Sequence, residues 1–389
     1  MDYRYFMPTA VETGAGLSRR TGEFLAKAGT RKALIVTDEG IVSAKMLDPV
    51  VESLDRSGVA CAVYDRVEPN PSEESMMEGL EAARSFGCDA VVAFGGGSSI
   101  DTAKGIAAMA TNEGRILDYE GVGKLRNPTL PLTAIPTTAG TGSEVTAATI
   151  VTNRATSFKA AVISPYLFPK LAILDPLLTL SLPQSITAAT GMDALTHAIE
   201  SYTSKAANPV SQALALSAIR LISAHIEKAY FAGTDVHSRE QMLVASMMAG
   251  AAFAQSRLGN VHAISHTMGG IFGIAHGVAN AALLPYVMKF NLPACPERFA
   301  DIAAAMGNDI AGLSAERAAE LSVESVVKLN ARLGIPATIR ELGVDLKLLD
   351  KMVEDSMRSG NVLINPRLTR PNDIRRIIEA AFEGTHAAL

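Results

Sequence analysis

The chain has 389 residues and a formal net charge of -5, from 35 Lys and Arg against 40 Asp and Glu. Acids and bases are interspersed, so there is no electrostatic footprint for nucleic acid or another polyanion. The length exceeds that at which one hydrophobic core stops growing, and 48% apolar with 19% charged residues is an ordinary globular composition, so two domains are expected.

The N-terminal stretch MDYRYFMPTAVETGAG mixes acids with bases and holds no apolar run of signal length. Nowhere do about 20 uninterrupted apolar residues occur, so the sequence reads as a soluble, cytoplasmic protein without a membrane partner. Cys61, Cys88 and Cys295 have no CxxC spacing, which argues for reduced thiols rather than a disulfide framework or thiolate metal site. From there the chain alternates short β-branched runs with helical patterns: ALIVT (33–37), ACAVY (60–64), AVVAF (90–94), LTAI (132–135) and LAIL (171–174). Strands apolar on both faces and spaced by helices predict a doubly wound, mostly parallel sheet covered on both sides. Past DPLLTLSLPQS (175–185), Ala, Met, Leu and charged residues recur at helical spacing and no clear strand appears. The expected organisation is an α/β domain over residues 1–183 and an all-α domain over 184–389.

The strand AVVAF runs into GGGSSIDTAKG, Gly95 to Gly105. Glycines at a strand-to-helix turn let backbone N–H groups approach an anion, and the helix N-terminus adds a favourable dipole, so a phosphate or pyrophosphate fits Gly95, Gly96, Gly97, Ser98 and Ser99. A tight turn needing positive φ would account for one glycine but poorly for three. The run is not GxGxxG, and no acid stands about 20 residues beyond it. Asp38, after the first predicted strand, is positioned either to accept from ribose hydroxyls, which would favour NAD over NADP, or to cap a helix. A second glycine-rich turn, IPTTAGTGSEVT (135–146), offers the hydroxyls of Thr137, Thr138, Thr141, Ser143 and Thr146 to a ligand or to its own backbone.

In GMDALTHAIE, Gly191 to Glu200, Asp193 and His197 stand four positions apart and share a helix face. NVHAISHTMGGIFGIAHG then places His262, His266 and His276 within fifteen residues of a chain holding seven histidines. His262 and His266 share a face, and the glycines after Met268 permit a bend bringing His276 back. One Asp and three His among apolar neighbours suit Fe2+, Zn2+ or Mn2+. Spacing does not say which histidine of the second cluster is spare.

GGGSSIDTAKG, TTAGTGSEVT, TAATGMDALTHAIESY and HAISHTMGG followed by AHGVANAALLP together resemble the iron-containing, or group III, alcohol dehydrogenases, from the early TDEG to the late NPR at Asn365 to Arg367. The resemblance implies an α/β nucleotide domain, a helical metal domain and an active site in the cleft between them. It implies Asp193, His197, His262 and His276 as metal ligands, and His266 as the pocket histidine beside substrate and nicotinamide, where as the catalytic residue it would relay the proton through water or ribose hydroxyls. It implies Asp38 as the ribose carboxylate, Gly95 to Ser99 as the pyrophosphate loop, and Asn70, Thr137, Thr138, Thr146 and Lys159 as further NAD(H) contacts. The expected reaction is hydride transfer between a small primary alcohol or diol and nicotinamide, assisted by Lewis acidity of the metal. Phe253, the residues after Thr146 and the segment at Asn361 and Val362 are expected to line the substrate pocket. Relatives specific for glycerol, hydroxy acids or sulfonated aldehydes are the alternative within the class, and a non-redox metal hydrolase the alternative outside it. A homodimer or higher homo-oligomer is expected by the same resemblance.

Overall fold

The computed structural model of the chain describes residues 3–154 and 158–385. It divides into two compact units: Met7–Ser181, and a unit beginning at Leu182 that also takes in the chain up to Phe6. The residues before Met7, expected in the α/β part, thus group with the helical part. The Phe6 amide donates to Gln255 Oε1 at 3.2 Å, and Gln255 Nε2 donates back to the Phe6 carbonyl at 2.8 Å.

The strands of the first unit are β1 (Ala10–Thr13), β2 (Lys32–Val36), β3 (Ala60–Tyr64), β4 (Ala90–Gly95), β5 (Gly121–Val122), β6 (Leu132–Pro136), β7 (Ala148–Asn153), β8 (Phe158–Ile163) and β9 (Leu171–Leu174). Its helices are α1 (Thr21–Lys27), α2 (Glu39–Ser43), α3 (Asp48–Arg56), α4 (Glu73–Phe86) and α5 (Gly97–Met109). Six strands pair in parallel in the order β1-β9-β6-β4-β2-β3. Side chains alternate across this sheet. Ala33, Ile35, Val92 and Phe94 pack on one face with Leu25 of α1 and Val50 and Leu54 of α3, while Leu34, Val36, Val91 and Ala93 pack on the other with Ala83 of α4 and Ile100 and Ala103 of α5. Burial on both faces is why these runs are continuously apolar, at roughly 1.5–3 kcal/mol for each large aliphatic side chain.

From β2 the chain crosses to β3 on one side, then returns to β4 on the other. Strand order therefore reverses between β2 and β4, and the carboxyl ends of two such strands open the crevice in which open α/β sheets hold ligands. A second sheet, β5-β8-β7, contains an antiparallel β7–β8 pair in register Thr152 to Lys159.

The second unit is built from α6 (Gln184–Thr203), α7 (Pro209–Phe231), α8 (Val236–Ser256), α9 (Asn260–Phe272), α10 (His276–Asn291), α11 (Pro296–Ala305), α12 (Ala315–Arg332), α13 (Leu349–Met357) and α14 (Pro371–Glu383), with no strand among its described residues. Helix α6 is buried along nearly its whole length, consistent with its small apolar body. Helix α9 stops where Gly273 takes φ +68°, a left-handed C-terminal cap that glycine adopts without a Cβ penalty, and α10 begins three residues later at His276. No helix among the described residues is long and apolar enough to cross a membrane.

Candidate metal centre and nucleotide crevice

Three helices bring four side chains to one point. Asp193 and His197 lie one turn apart on α6, His262 is the third residue of α9, and His276 is the first of α10. Asp193 Oδ1 stands 3.8 Å from His197 Nε2, 3.9 Å from His262 Nε2 and 3.8 Å from His276 Nε2. One ligand atom from each of the four lies within 4.8 Å of every other. Edges of 3.8–3.9 Å correspond to atoms about 2.4 Å from a common tetrahedral centre, slightly beyond the roughly 2.0–2.2 Å of N and O ligation to divalent metals. Asp193, His197 and His262 are buried, whereas the His276 side chain is 30% exposed, so the cluster opens on that side.

Burial pushes the Asp193 carboxyl up, while His197 and a hydrogen bond from Asn280 pull it down. Burial also holds His262 well below the ordinary imidazole value, with His197 and His266 adding to the effect. A His262 imidazole held neutral by burial thus shares one point with a desolvated carboxylate and two further imidazoles. Such a set is in deficit of positive charge, and a divalent cation fits it.

Two residues that sequence reasoning did not single out complete the surroundings. Glu200, one turn beyond His197 on α6, places Oε2 2.5 Å from His262 Nδ1 while its Oε1 accepts from the Val261 amide at 2.7 Å. A carboxylate on Nδ1 fixes the tautomer that leaves Nε2 free to bind a metal. Asn280, one turn beyond His276, donates Nδ2 to Asp193 Oδ1 at 2.6 Å and sits 3.1 Å from Nε2 of both His262 and His276, while its own Oδ1 is buried without a partner. Glu200 lies three residues after His197 and Asn280 four after His276, a spacing that puts each on its ligand's helix face without naming its partner.

His266 stands beside the four rather than among them. Its ring stacks on His276 with centroids 5.1 Å apart and meets His262 edge-on at 5.8 Å. Phe253 packs its ring 4.5 Å from that of His197, which makes it an apolar wall of the centre. Val362 is buried in a short 3-10 turn, Val362–Ile364, and the Asn361 amide donates to Ser359 Oγ.

In the first unit, β4 ends at Gly95 with φ +153°, and a Cβ there would lie 2.3 Å from Ser99 Oγ. A Cβ on Gly97 would lie 2.6 Å from Thr141 Cγ2, so close approach of the two glycine-rich loops excludes a side chain there. Helix α5 starts at Gly97 with no side chain capping it. Ser98 Oγ donates to the Pro69 carbonyl at 2.7 Å, which draws the loop carrying exposed Asn70 to the same helix end. The Thr137 amide donates to the Gly95 carbonyl at 3.0 Å, and Thr138 lies against Gly96. On the neighbouring strand, Asp38 follows β2 and caps α2, its Oδ1 accepting from the Ile41 amide at 3.0 Å. The capping use of Asp38 is therefore present, and it engages one of the two carboxylate oxygens. Thr146 is buried, and its hydroxyl accepts from Lys104 Nζ at 3.0 Å, within the fold. Burial lowers the Lys159 ammonium, against the pull of Asp101.

Residues 8–176 match the iron-containing alcohol dehydrogenase family, and residues 187–382 match the C-terminal part of the Fe-containing alcohol dehydrogenase family. The chain belongs to the iron-containing alcohol dehydrogenases. This dehydrogenase is 44% identical to the 1,3-propanediol dehydrogenase of Citrobacter freundii over 98% of its own length and 100% of that protein. It is 40% identical to the NAD-dependent methanol dehydrogenase of Bacillus methanolicus, with 97% and 99% covered. A solved structure of a 1,3-propanediol oxidoreductase superposes with a TM-score of 0.96 at 43% identity, covering 98% of this chain and 100% of the other. The enzyme is accordingly an oxidoreductase acting between alcohols and aldehydes, and its parallel sheet followed by a helical half is the family fold.

Proposed function

We propose that this dehydrogenase interconverts small primary alcohols or diols and their aldehydes with NAD(H), using a divalent ion held by Asp193, His197, His262 and His276. The observation that carries the reading is the convergence of these four donors from three helices, with three of them buried and the fourth on an open side. When bound, the ion supplies Lewis acidity that eases ionisation of the alcohol, and the nicotinamide takes up the hydride. Glu200 holds His262 in the ligating tautomer. Phe253 keeps water from one side of the centre. His266, stacked at its more exposed edge, takes the proton released on alcohol oxidation, directly or through water.

For the cofactor we assign Gly95 to Ser99 to the pyrophosphate, where the α5 N-terminus faces the crevice between β2 and β4. Asp38 keeps one oxygen on its cap and offers the other to the ribose hydroxyls. A carboxylate there repels a 2′-phosphate, which is the physical reason to expect NAD, and the methanol dehydrogenase relative is named as NAD-dependent. Asn70, Thr137 and Thr138 lie at the same helix end. Fe2+ is the expected ion, with Zn2+ and Mn2+ compatible with the same N and O donors. The reading takes the enzyme as cytoplasmic and homo-oligomeric, the latter checked by sedimentation.

The described side chains set around the centre, Phe253, His266, Glu200 and Asn280, include no Lys or Arg to pair with a substrate carboxylate or sulfonate, and the reading is for neutral alcohols. The test follows NADH formation with ethanol, propanol, 1,2-propanediol, 1,3-propanediol, glycerol, a hydroxy acid and a sulfonated alcohol, with NAD and then NADP. Highest kcat/KM for the unbranched alcohols and diols with NAD supports the proposal. A clear preference for glycerol or an anionic substrate would overturn the substrate class, and NADP preference would overturn the role of Asp38.

A further inference from the structure

Helix α5 carries a buried lysine and a half-buried aspartate that phosphate binding does not use. Lys104 is 0% exposed, and among the described residues no carboxylate lies within ion-pair distance of its ammonium. Its Nζ donates instead to the Ala148 carbonyl at 2.7 Å, the Thr146 carbonyl and Oγ1 at 3.0 Å each, and Ser143 Oγ at 3.2 Å. One turn earlier, Asp101 accepts from Ser143 Oγ at 2.5 Å and from the Ile150 amide at 3.0 Å, and its backbone carbonyl accepts from Thr149 Oγ1 at 2.8 Å. Burial pulls the Lys104 ammonium down to about 8, while Asp101 and Glu144 pull it back up. An ammonium without a contacting carboxylate is costly to bury, so its four oxygen partners mark a segment that the fold holds firmly.

That segment is the continuation of the second glycine-rich loop. Along α5, Gly96 and Gly97 meet Thr138 and Thr141, while Asp101 and Lys104 together hold Ser143, Thr146 and the start of β7 at Ala148, Thr149 and Ile150. Strands β2, β4 and β6 are successive neighbours in the sheet. If the adenosine ribose meets Asp38 after β2 and the pyrophosphate meets Gly95 to Ser99 after β4, the remaining nucleoside lies towards the loop after β6. This step rests on the dinucleotide reading above.

We propose that Lys104 is a positioning residue for the nicotinamide half of the dinucleotide. Through Ser143, Thr146 and Ala148 it fixes the loop after β6 at the level of the α5 N-terminus, without touching the cofactor itself. The adenosine half, held by Asp38 and the glycine turn, does not depend on it.

Calorimetry on the metal-loaded full chain, with NADH and with ADP as separate ligands, tests this on Lys104→Met, Thr146→Val and Ser143→Ala. The expected result for Lys104→Met is an NADH Kd raised about tenfold or more, the order of loss for hydrogen bonds to a charged group that order the loop, with the ADP Kd within twofold of the parent and metal content unchanged. Thr146→Val, which keeps the ammonium and removes only its contact with the Thr146 hydroxyl and that hydroxyl's bond to the Ser143 carbonyl, should move in the same direction by less than Lys104→Met. So should Ser143→Ala, which removes the contacts to both Lys104 and Asp101; these two decide the matter if Lys104→Met does not fold. Equal weakening of NADH and ADP would mean general loss of structure and would overturn the proposal, as would no change in either. Parent protein that binds neither ligand would overturn the dinucleotide reading and this inference together.

Discussion

Replacing Glu200 by Gln changes one atom and tests whether the metal centre depends on its outer carboxylate. Glu200 accepts two buried hydrogen bonds, one at His262 Nδ1 and one from the Val261 amide. Glutamine keeps one acceptor oxygen and turns an NH2 towards the other donor. If the oxygen stays on Val261, the NH2 opposes Nδ1–H and drives His262 towards the tautomer whose Nε2 carries the proton and cannot ligate. If it turns to His262, the Val261 amide is orphaned at the start of α9, two residues from the ligand's own neighbour Ala263. The first arrangement loses the ligating tautomer and the second loses one buried hydrogen bond, about 1–3 kcal/mol, and loss of outer partners of ligating histidines weakens metal binding by roughly 10–100-fold. Competition against a calibrated chelator measures the metal Kd, with circular dichroism confirming the fold. A Kd within twofold of the parent would refute the claim that Glu200 holds His262 in its ligating state.

Three further outcomes follow from the same geometry. Burial pushes the Glu144 carboxyl up from 4.5 to about 7; because the folded value lies above the unfolded one, the stability associated with the protonated form is complete below about 4.5 and is lost as pH rises to about 7, by up to about 3 kcal/mol. Glu144→Gln should therefore match the parent in urea unfolding at pH 4.5 and exceed it at pH 8, and parallel stability curves would contradict this. Asp38→Asn keeps an equally good cap for α2 while removing the charge, so the NAD to NADP ratio of kcat/KM should fall about tenfold or more; an unchanged ratio would confine Asp38 to capping. His266→Ala should lower turnover by roughly 10²–10⁴-fold and change the pH profile while metal content stays constant, whereas loss of the ion would make His266 a ligand.

The parallel core was legible because β2, β4, β6 and β9 are buried on both faces, which leaves continuous apolar runs bounded by helical patterns. Strand β1 escaped notice because AVET sits at the sheet edge with mostly exposed side chains, so no apolar run marks it. The β7–β8 pair was equally hidden, since ATIVTN is only partly buried and its pairing is set by tertiary contact. At the metal centre the four donors could be read from i, i+4 spacing on α6 and from the histidine cluster, but singling out His262 and His276 from His266 needed the family resemblance; the geometry then set His266 apart. Glu200 and Asn280 look in sequence like ordinary polar residues on buried helices, and only the meeting of α6, α9 and α10 gives them a partner. Nothing in sequence marks Lys104 as buried, because its oxygen partners come from the loop after β6 and the start of β7.

The measurement that bears most directly on the central claim is anaerobic add-back of Fe2+ and, separately, Zn2+ to metal-stripped protein, recording bound metal and NADH formation from 1,3-propanediol together. One ion per chain, with turnover rising in proportion to occupancy for at least one metal and abolished in Asp193→Ala, is the predicted result. Turnover by the stripped protein, or full occupancy in Asp193→Ala, would contradict a catalytic ion at Asp193, His197, His262 and His276.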